Sequence, residues 1–576
     1  MASRVSLFLA ELKRRKVYRV AAIYLVVGFA VWQAADFAVP ALNLPEVASS
    51  FILLVTVLGF PIALVLAWAF EVRPDSSPAQ TSLPDGAGPM VGEGGSMVGE
   101  AESMVGDPSR SPHGRSVAVL PFDSLSSDPE GDYFADGISE ELTNALARQK
   151  GLRVAARTSA FAFKGERVDV RDIGKRLDVS HVIEGSVRRA GGTLRITAQL
   201  IDTSNGYHIW SEQFDREQGD VFRIQEEIAG SVVRGLLDEV PGDVGPAATT
   251  TDLAAYDAFL RGRHALAAFG PSLMERAIRE FETCISLDEA FAPAHAGLAE
   301  AFTNQAIAFS DRSPKEAMIR AGASADRALE LDPDLPEAHL ARALALMYRD
   351  FDYDGAKAAF DRALEINPNY ADAHLWLEFY WTYVRHDFEE AVAANERARQ
   401  LNPLDPRMPL RLATVHLIFG NLREAERIHR ANLAKEPEAP VTHLGLGDAL
   451  LRLGDYDGAV LHAEKAVSLA GRPTPWLGML GAFYGVQGNR SAAEEVLAEL
   501  EARAETGYVS GFWMGVAQSG IGNLDQAFSS LQRAVDDRDA NLLYLIAAPR
   551  VCGLHADPRF PEIFRQIGLG HLTKFL

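Results

Sequence analysis

The strongest constraint on the fold is a recurrence of fixed length in the C-terminal half. Small residues return every 34 positions at Ala413, Gly447, Gly481 and Gly515. A Gly followed by Asn or Asp returns with the same period, at Gly420-Asn421, Gly454-Asp455, Gly488-Asn489 and Gly522-Asn523. Four residues after each Asn or Asp stands an alanine, at Ala425, Ala459, Ala493 and Ala527. Three separate position classes sharing one period mark a stack of like units. The small residues let helices approach closely, and the glycine supplies the left-handed turn between two antiparallel helices. One such pair cannot bury its apolar face alone, so pairs stack into a superhelix with a concave inner surface.

Turn-forming prolines at Pro333, Pro368, Pro403 and Pro437, spaced 35, 35 and 34 residues apart, extend the array upstream, as do Ala356 and Ala391. About eight units are expected over 252–539, the first two less regular, with a longer turn at Ser310 to Pro314. The segment 540–576, with "DPRFPEIFRQIGL" from Asp557, is expected to cap the stack with a polar-faced helix. This grammar resembles the tetratricopeptide repeat family. The resemblance implies an all-α superhelix that binds protein or peptide partners. Its inner-groove positions map onto Arg407, Leu410, Thr414, Leu444, Asp448, Arg452, Gly478, Ala482, Phe512 and Val516. Such a groove is mixed apolar and polar, suited to an extended or helical peptide. It lacks the regular Lys and Asn set of a carboxylate clamp.

The N-terminal region has a different character. Residues 1–16 end in the basic run Lys13 to Lys16, and apolar stretches follow at 17–39 and 47–70. Each is long enough to cross a hydrocarbon core of roughly 30 Å at about 1.5 Å per helical residue. Two transmembrane helices are therefore expected, with Asp36 at the interface. Six Lys/Arg precede or begin the first stretch and none lies in the connection from Pro40 to Glu46. Positive charge stays inside, so both termini and the soluble domains are expected in the cytoplasm; the family resemblance of the segment that follows implies a bacterial inner membrane. A periplasmic placement follows if the first stretch does not insert. The segment 71–115, with its repeated "MVGE" phrase, reads as a disordered Gly/Pro/Ser-rich linker. The net charge is −22. The first 70 residues carry six bases and three acids, so the remainder carries −25, which argues against nucleic-acid binding.

Residues 116–240 alternate strand and helix signals. "SVAVLPF" from Ser116 reads as a buried strand, and "GISEELTNALARQ" from Gly137 as a helix. Two period-2 runs flank Gly191-Gly192, a hairpin signal, with Leu194, Ile196, Ala198 and Leu200 on one face. The expectation is a compact α/β domain with a mixed sheet. The phrases "FADGISEEL", "RTSAFAFKG", "VIEGSVRR", "TAQLIDT", "IWSEQFD" and "VFRIQEEIA" resemble the TolB-like (FlgO-like) domain found beside tetratricopeptide repeats in bacterial membrane proteins. Similar modules accompany class III adenylate cyclases and CadC-type regulators, whose effector domains lie elsewhere. No segment of this sequence reads as a cyclase, kinase or winged helix-turn-helix.

Few residues suggest chemistry. The "DYDGA" phrases from Asp352 and Asp455 lack the further oxygen ligands of a calcium loop and read as helix caps. Cys284 occupies a small-residue packing position, the histidines show no metal-ligand spacing, and Ser124 lies outside any GxSxG context. Arg188, Arg189 and Arg195 flank the hairpin and form a possible anion or partner patch beside Glu184. No cofactor, metal or catalytic residue is expected. The functional expectation is a membrane-anchored scaffold without catalysis. The alternative is a sensory component whose α/β domain binds a ligand and modulates recruitment.

Overall fold

The computed structural model describes residues 115–125, 131–190, 193–217, 221–237, 250, 252–268, 270–308, 313–547 and 553–575. The expected basic terminus, both apolar stretches and the linker up to residue 114 lie outside them. The expected fold class is corrected here: among the described residues no helix is long and apolar enough to cross a membrane. Even a long one, Pro314–Leu331, is broken by Lys315, Glu316, Arg320, Asp326 and Arg327. What the described chain contains is a small mixed sheet joined to a helical superhelix within one compact unit.

The sheet carries the order β3-β1-β4-β5-β6, built from β1 (Ser116–Val119), β3 (Arg153–Val154), β4 (His181–Ala190), β5 (Thr193–Asp202) and β6 (His208–Glu217). A short β2 (Asp123–Ser124) pairs with β4 as well. β1 runs parallel to both its neighbours, whereas β4, β5 and β6 are antiparallel. Alternation sends Leu194, Ile196, Ala198 and Leu200 into a core with Ile138 and Leu142 of α1 (Gly131–Ala147) and Ile224 and Ile228 of α4 (Val221–Leu237). On the opposite face, Val182 and Ile201 pack against Ile173 and Leu177 of α3 (Val170–Leu177). α2 (Arg157–Phe161) follows β3.

Eight antiparallel helix pairs follow among the described residues. They are α5 (Leu253–Ala268) with α6 (Pro271–Leu287), α7 (Ala292–Ala308) with α8 (Pro314–Leu331), α9 (Pro336–Ala345) with α10 (Tyr353–Ile366), and α11 (Ala371–Tyr380) with α12 (Phe388–Leu401). Then come α13 (Arg407–Ile418) with α14 (Leu422–Leu433), α15 (Pro440–Leu453) with α16 (Tyr456–Leu469), α17 (Thr474–Gln487) with α18 (Arg490–Thr506), and α19 (Gly511–Gly520) with α20 (Leu524–Asp536). Asp352 and Asp455 cap α10 and α16 by accepting from Gly355 N at 2.9 Å and Gly458 N at 3.0 Å.

One left-handed position recurs at the hairpin turns of the third to eighth pairs. It is glycine at Gly420, Gly454, Gly488 and Gly522, but Phe351 and His386 hold φ of 56° and 55° at the corresponding places. α9 and α11 run into these residues through π-helical turns, Leu346–Asp350 and Trp381–Arg385. Close approach is tightest between α17 and α19: a Cβ on Gly485 falls 2.0 Å from Gly520 O, with backbone on the other side. Gly485→Ala is therefore expected to lower stability by about 1–3 kcal/mol through forced separation of the two helices, read as an earlier urea midpoint. An unchanged midpoint would show that the helices part without cost.

The last described segment turns inward. After α20 a 3₁₀ stretch, Ala540–Ala547, enters the superhelix, and α21 (Phe560–Gln566) and Gly570–Phe575 then close it from outside. Tyr353 Oη donates to Ile567 O at 2.7 Å, and the His571 ring donates to Val384 O at 2.8 Å. Phe575 lies against His386 with centroids 4.5 Å apart, and the Arg538 guanidinium sits 4.5 Å over Phe351. Arg559 pairs with Asp525 of α20 at 2.9 Å. The tail thus ties the eighth pair to the third and fourth. The rings of Phe351 and His386 give that contact a surface that glycine would not provide.

Candidate functional site

The first helices of the pairs line the inside of the superhelix, and their side chains meet the tail there. Leu542, Leu543 and Leu545 are buried, in one apolar cluster with Leu340, Leu344, Tyr348, Phe379, Tyr383 and Phe512. The Tyr544 ring lies edge-on to Phe379 and Tyr383 at 5.8 and 5.1 Å, and tilted against Trp513 at 6.3 Å. Such ring pairs each add about 0.5–1.5 kcal/mol beyond area burial. Arg452 closes the segment's end, donating to Ala547 O at 2.5 Å while pairing with Asp448 at 3.0 Å.

Beside the aromatic wall lies one buried ion pair. Glu378 accepts from Arg411 Nε at 2.7 Å and from Thr382 Oγ1 at 2.9 Å. Burial pushes the Glu378 carboxyl above its ordinary range, with Arg411 pulling it back. The Arg411 guanidinium also sits 5.2 Å from the Phe379 ring centre.

The ten groove positions separate against this geometry. Leu444, Gly478, Ala482, Phe512 and Val516 are buried, and a Cβ on Gly478 would meet Trp513 O at 2.7 Å. Leu410, Thr414, Asp448 and Arg452 are half-buried; Arg407 is exposed and pairs with Asp372 and Asp405 at 3.3 and 2.7 Å. The sequence pattern names the lining but not what fills it.

The arginine patch divides by strand alternation. Arg188 and Arg195 are cross-strand partners on the open face, where Arg195 pairs with Asp215 at 2.5 Å. Arg189 points the other way, stacking over Phe134 at 4.4 Å and reaching Asp257 of α5 at 3.5 Å. It belongs to the seam between sheet domain and repeats. Cys284 is buried, and burial pushes its thiol up to about 12, which suits packing and not reactivity. Among the described residues no group of His, Cys, Asp or Glu is arranged to hold a metal ion.

That seam is polar and specific. Tyr133 Oη donates to Asp257 at 2.6 Å, and Arg263 reaches Glu140 and Glu300 at 2.9 Å each. Asn369 donates to Ala147 O and Leu152 O at 2.9 and 2.8 Å. Ser159 donates to Asn402 at 2.6 Å and accepts from Leu404 N at 2.8 Å, while Ala156 N donates to Leu401 O. The residue before each turn proline is Asp332, Asn367, Asn402 or Glu436. The two asparagines stand at the turns facing the sheet domain, where Asn367 Oδ1 accepts from Asn369 N at 3.0 Å and Asn402 Oδ1 accepts from Ser159 Oγ. Sequence reasoning missed this seam, because contacts such as those of Asn369 and Ser159 join residues more than two hundred positions apart. Asn369→Ala strands two buried carbonyls and is expected to loosen the docked domain by about 2–4 kcal/mol, read as faster amide exchange in β1 and α1. Unchanged exchange there would refute the assignment.

Comparison with known proteins follows this geometry. Residues 113–230 match the family described as HilA/YgeH-like transcriptional regulator, second domain. Residues 442–472 match the tetratricopeptide repeat, so the helical array is of that type. A relative named putative adenylate cyclase 3, from Rhizobium meliloti (strain 1021), is 36% identical over 244 residues, 42% of each chain. The chain thus spans about two fifths of that relative's length. Among solved structures, the type IV pilus biogenesis factor PilW is 23% identical, covering 37% of this chain and 92% of its own, with a TM-score of 0.30. A tetratricopeptide repeat protein from Parabacteroides merdae is 15% identical, covering 48% of this chain and 100% of its own, with a TM-score of 0.35.

Proposed function

We propose that this chain is a non-catalytic recruitment protein whose repeat superhelix receives a short apolar helical segment of a partner polypeptide. One observation carries the reading: the channel already closes around such a segment, Ala540–Ala547, through leucines, one tyrosine and a terminal carbonyl held by Arg452. Helix-in-groove recognition uses these elements, apolar anchors in pockets and few polar contacts. Its own tail competes with any partner for the channel. The names carried by the matched regulator family and by the cyclase relative favour partners in a regulatory pathway.

The test uses a fluorescent peptide with the sequence of residues 538–549 and the full chain, unchanged or carrying Leu543→Asp. The unchanged chain is expected to leave the peptide free, because the segment in cis has the advantage of high effective concentration. The variant is expected to bind it at micromolar levels. Failure of the variant, still helical by circular dichroism, to take up the peptide would sink the reading.

A further inference from the structure

The tail fills the channel with apolar side chains but leaves part of the channel's polar wall unmet. Two donors lie in the pocket that holds the Tyr544 ring. Trp513, its ring centre 6.3 Å from that of Tyr544, has an indole Nε1 that is shielded from solvent and has no acceptor among the described residues. Arg411 gives its Nε to Glu378 at 2.7 Å, yet its Nη2 is equally shielded and also has no acceptor among them. The guanidinium lies 5.2 Å from the Phe379 ring centre, and the Phe379 ring is 5.8 Å from Tyr544. Burial pushes the Tyr544 hydroxyl above its ordinary value, with the Arg411 charge pulling it back. That hydroxyl nevertheless hydrogen-bonds to neither donor.

A shielded N–H without an acceptor loses its hydration and gains nothing in exchange. Leu542, Leu543 and Leu545 are all buried, so the mismatch between tail and channel falls at position 544. What is missing there is an acceptor, and the local charge decides which kind. Glu378 already neutralises Arg411, so a second carboxylate would leave an unbalanced negative charge in a buried site. A carboxamide brings the acceptor without the charge. Its N–H group has a partner as well: a carboxylate offers about four lone-pair sites. On Glu378, Arg411 Nε and Thr382 Oγ1 each take one of them.

We propose, resting on the reading of the channel as a receptor for a helical segment, that the partner carries a glutamine or asparagine where the tail carries Tyr544. Trp513 Nε1 donates to its side-chain carbonyl, and Arg411 Nη2 is the second donor in the pocket. These two side chains set the channel's specificity at that position. The tail supplies no acceptor there, which makes it the weaker occupant and lets a matched partner displace it.

Fluorescence anisotropy of the labelled 538–549 peptide with the full chain carrying Leu543→Asp tests this, with Tyr544→Gln, Tyr544→Met or Tyr544→Glu placed in the peptide. Glutamine and methionine are alike in length, so the ratio of their affinities isolates the polar group. The Tyr544→Gln peptide is expected to bind about ten-fold tighter than the Tyr544→Met peptide. The Tyr544→Glu peptide is expected to bind more weakly than Tyr544→Gln. Adding Trp513→Phe to the chain removes the indole donor while keeping an aromatic wall, and should shrink the glutamine-to-methionine ratio to about three-fold or less. The proposal is overturned if the Tyr544→Gln peptide binds no tighter than Tyr544→Met, if Tyr544→Glu matches or exceeds Tyr544→Gln, or if the ratio survives Trp513→Phe. Should Trp513→Phe unfold the chain, the ranking of the three peptides decides alone. If the unsubstituted peptide binds and the ranking fails, only this inference falls; if no peptide binds, the receptor reading falls with it.

Discussion

Arg411→Met is expected to lower stability by about 3–5 kcal/mol, because it leaves Glu378 buried without its cation. The carboxylate is fully buried, and its remaining neighbours are Thr382 and the rings of Tyr383 and Tyr544. None of these carries a positive charge, so the carboxyl responds by keeping its proton. Its folded pKa already lies above the ordinary value, and loss of Arg411 raises it further. A carboxyl raised by folding binds its proton more tightly in the native state. The associated stability is present at low pH and is lost as pH climbs from the unfolded value towards the folded one. The variant should therefore unfold at lower urea concentration at pH 8 than at pH 5. Equal midpoints, or the reverse order, would show that water reaches Glu378. Glu378→Leu combined with Arg411→Met should recover much of the loss, since an apolar pair leaves no orphaned charge.

Leu543→Asp is expected to expel the segment Ala540–Ala547 from the channel. Leu543 is 1% exposed in a wall of aromatic and leucine side chains, and an unpaired carboxylate there costs about 3 kcal/mol or more. That corresponds to roughly a hundred-fold rise in the released population. The helix pairs should persist, since each is packed on its neighbours. Limited proteolysis followed by mass spectrometry is expected to show new cleavage within 540–575 while 313–536 stays resistant. Leu461→Asp is the control, because Leu461 is 64% exposed and should tolerate the change. Equal protection of the tail in both variants would mean that the channel does not hold it.

The repeats were legible because their signal lies in turn chemistry and small-residue spacing, which act locally. Gly420, Gly454, Gly488 and Gly522 all adopt positive φ, the conformation their recurrence implies. The same position at Phe351 and His386 was not legible. A ring in a left-handed turn makes sense only beside Arg538 and Phe575, contacts far away in sequence. The channel's content was hidden for a similar reason. "ANLLYLIA" is simply apolar, and nothing local distinguishes a helix that caps a stack from one that enters it. The arginine patch divides on simpler grounds. Arg188 and Arg189 are consecutive on β4, so strand alternation had to send them to opposite faces. The two apolar N-terminal stretches raise a different case, since the fold described here contains no membrane-crossing helix among its described residues.

The clasp between the eighth pair and the third and fourth alters how such an array comes together. An open solenoid can zip up from any point, because each unit needs only the one beside it. Here Tyr353 and Val384 wait for partners at Ile567 and His571, about two hundred residues later. Closure therefore carries the entropy cost of a very long loop and comes late, after the intervening pairs have formed. Until then the aromatic interior stays open to water and to chaperones. Once latched, the ring should come apart as a whole, and fraying from one end should be suppressed.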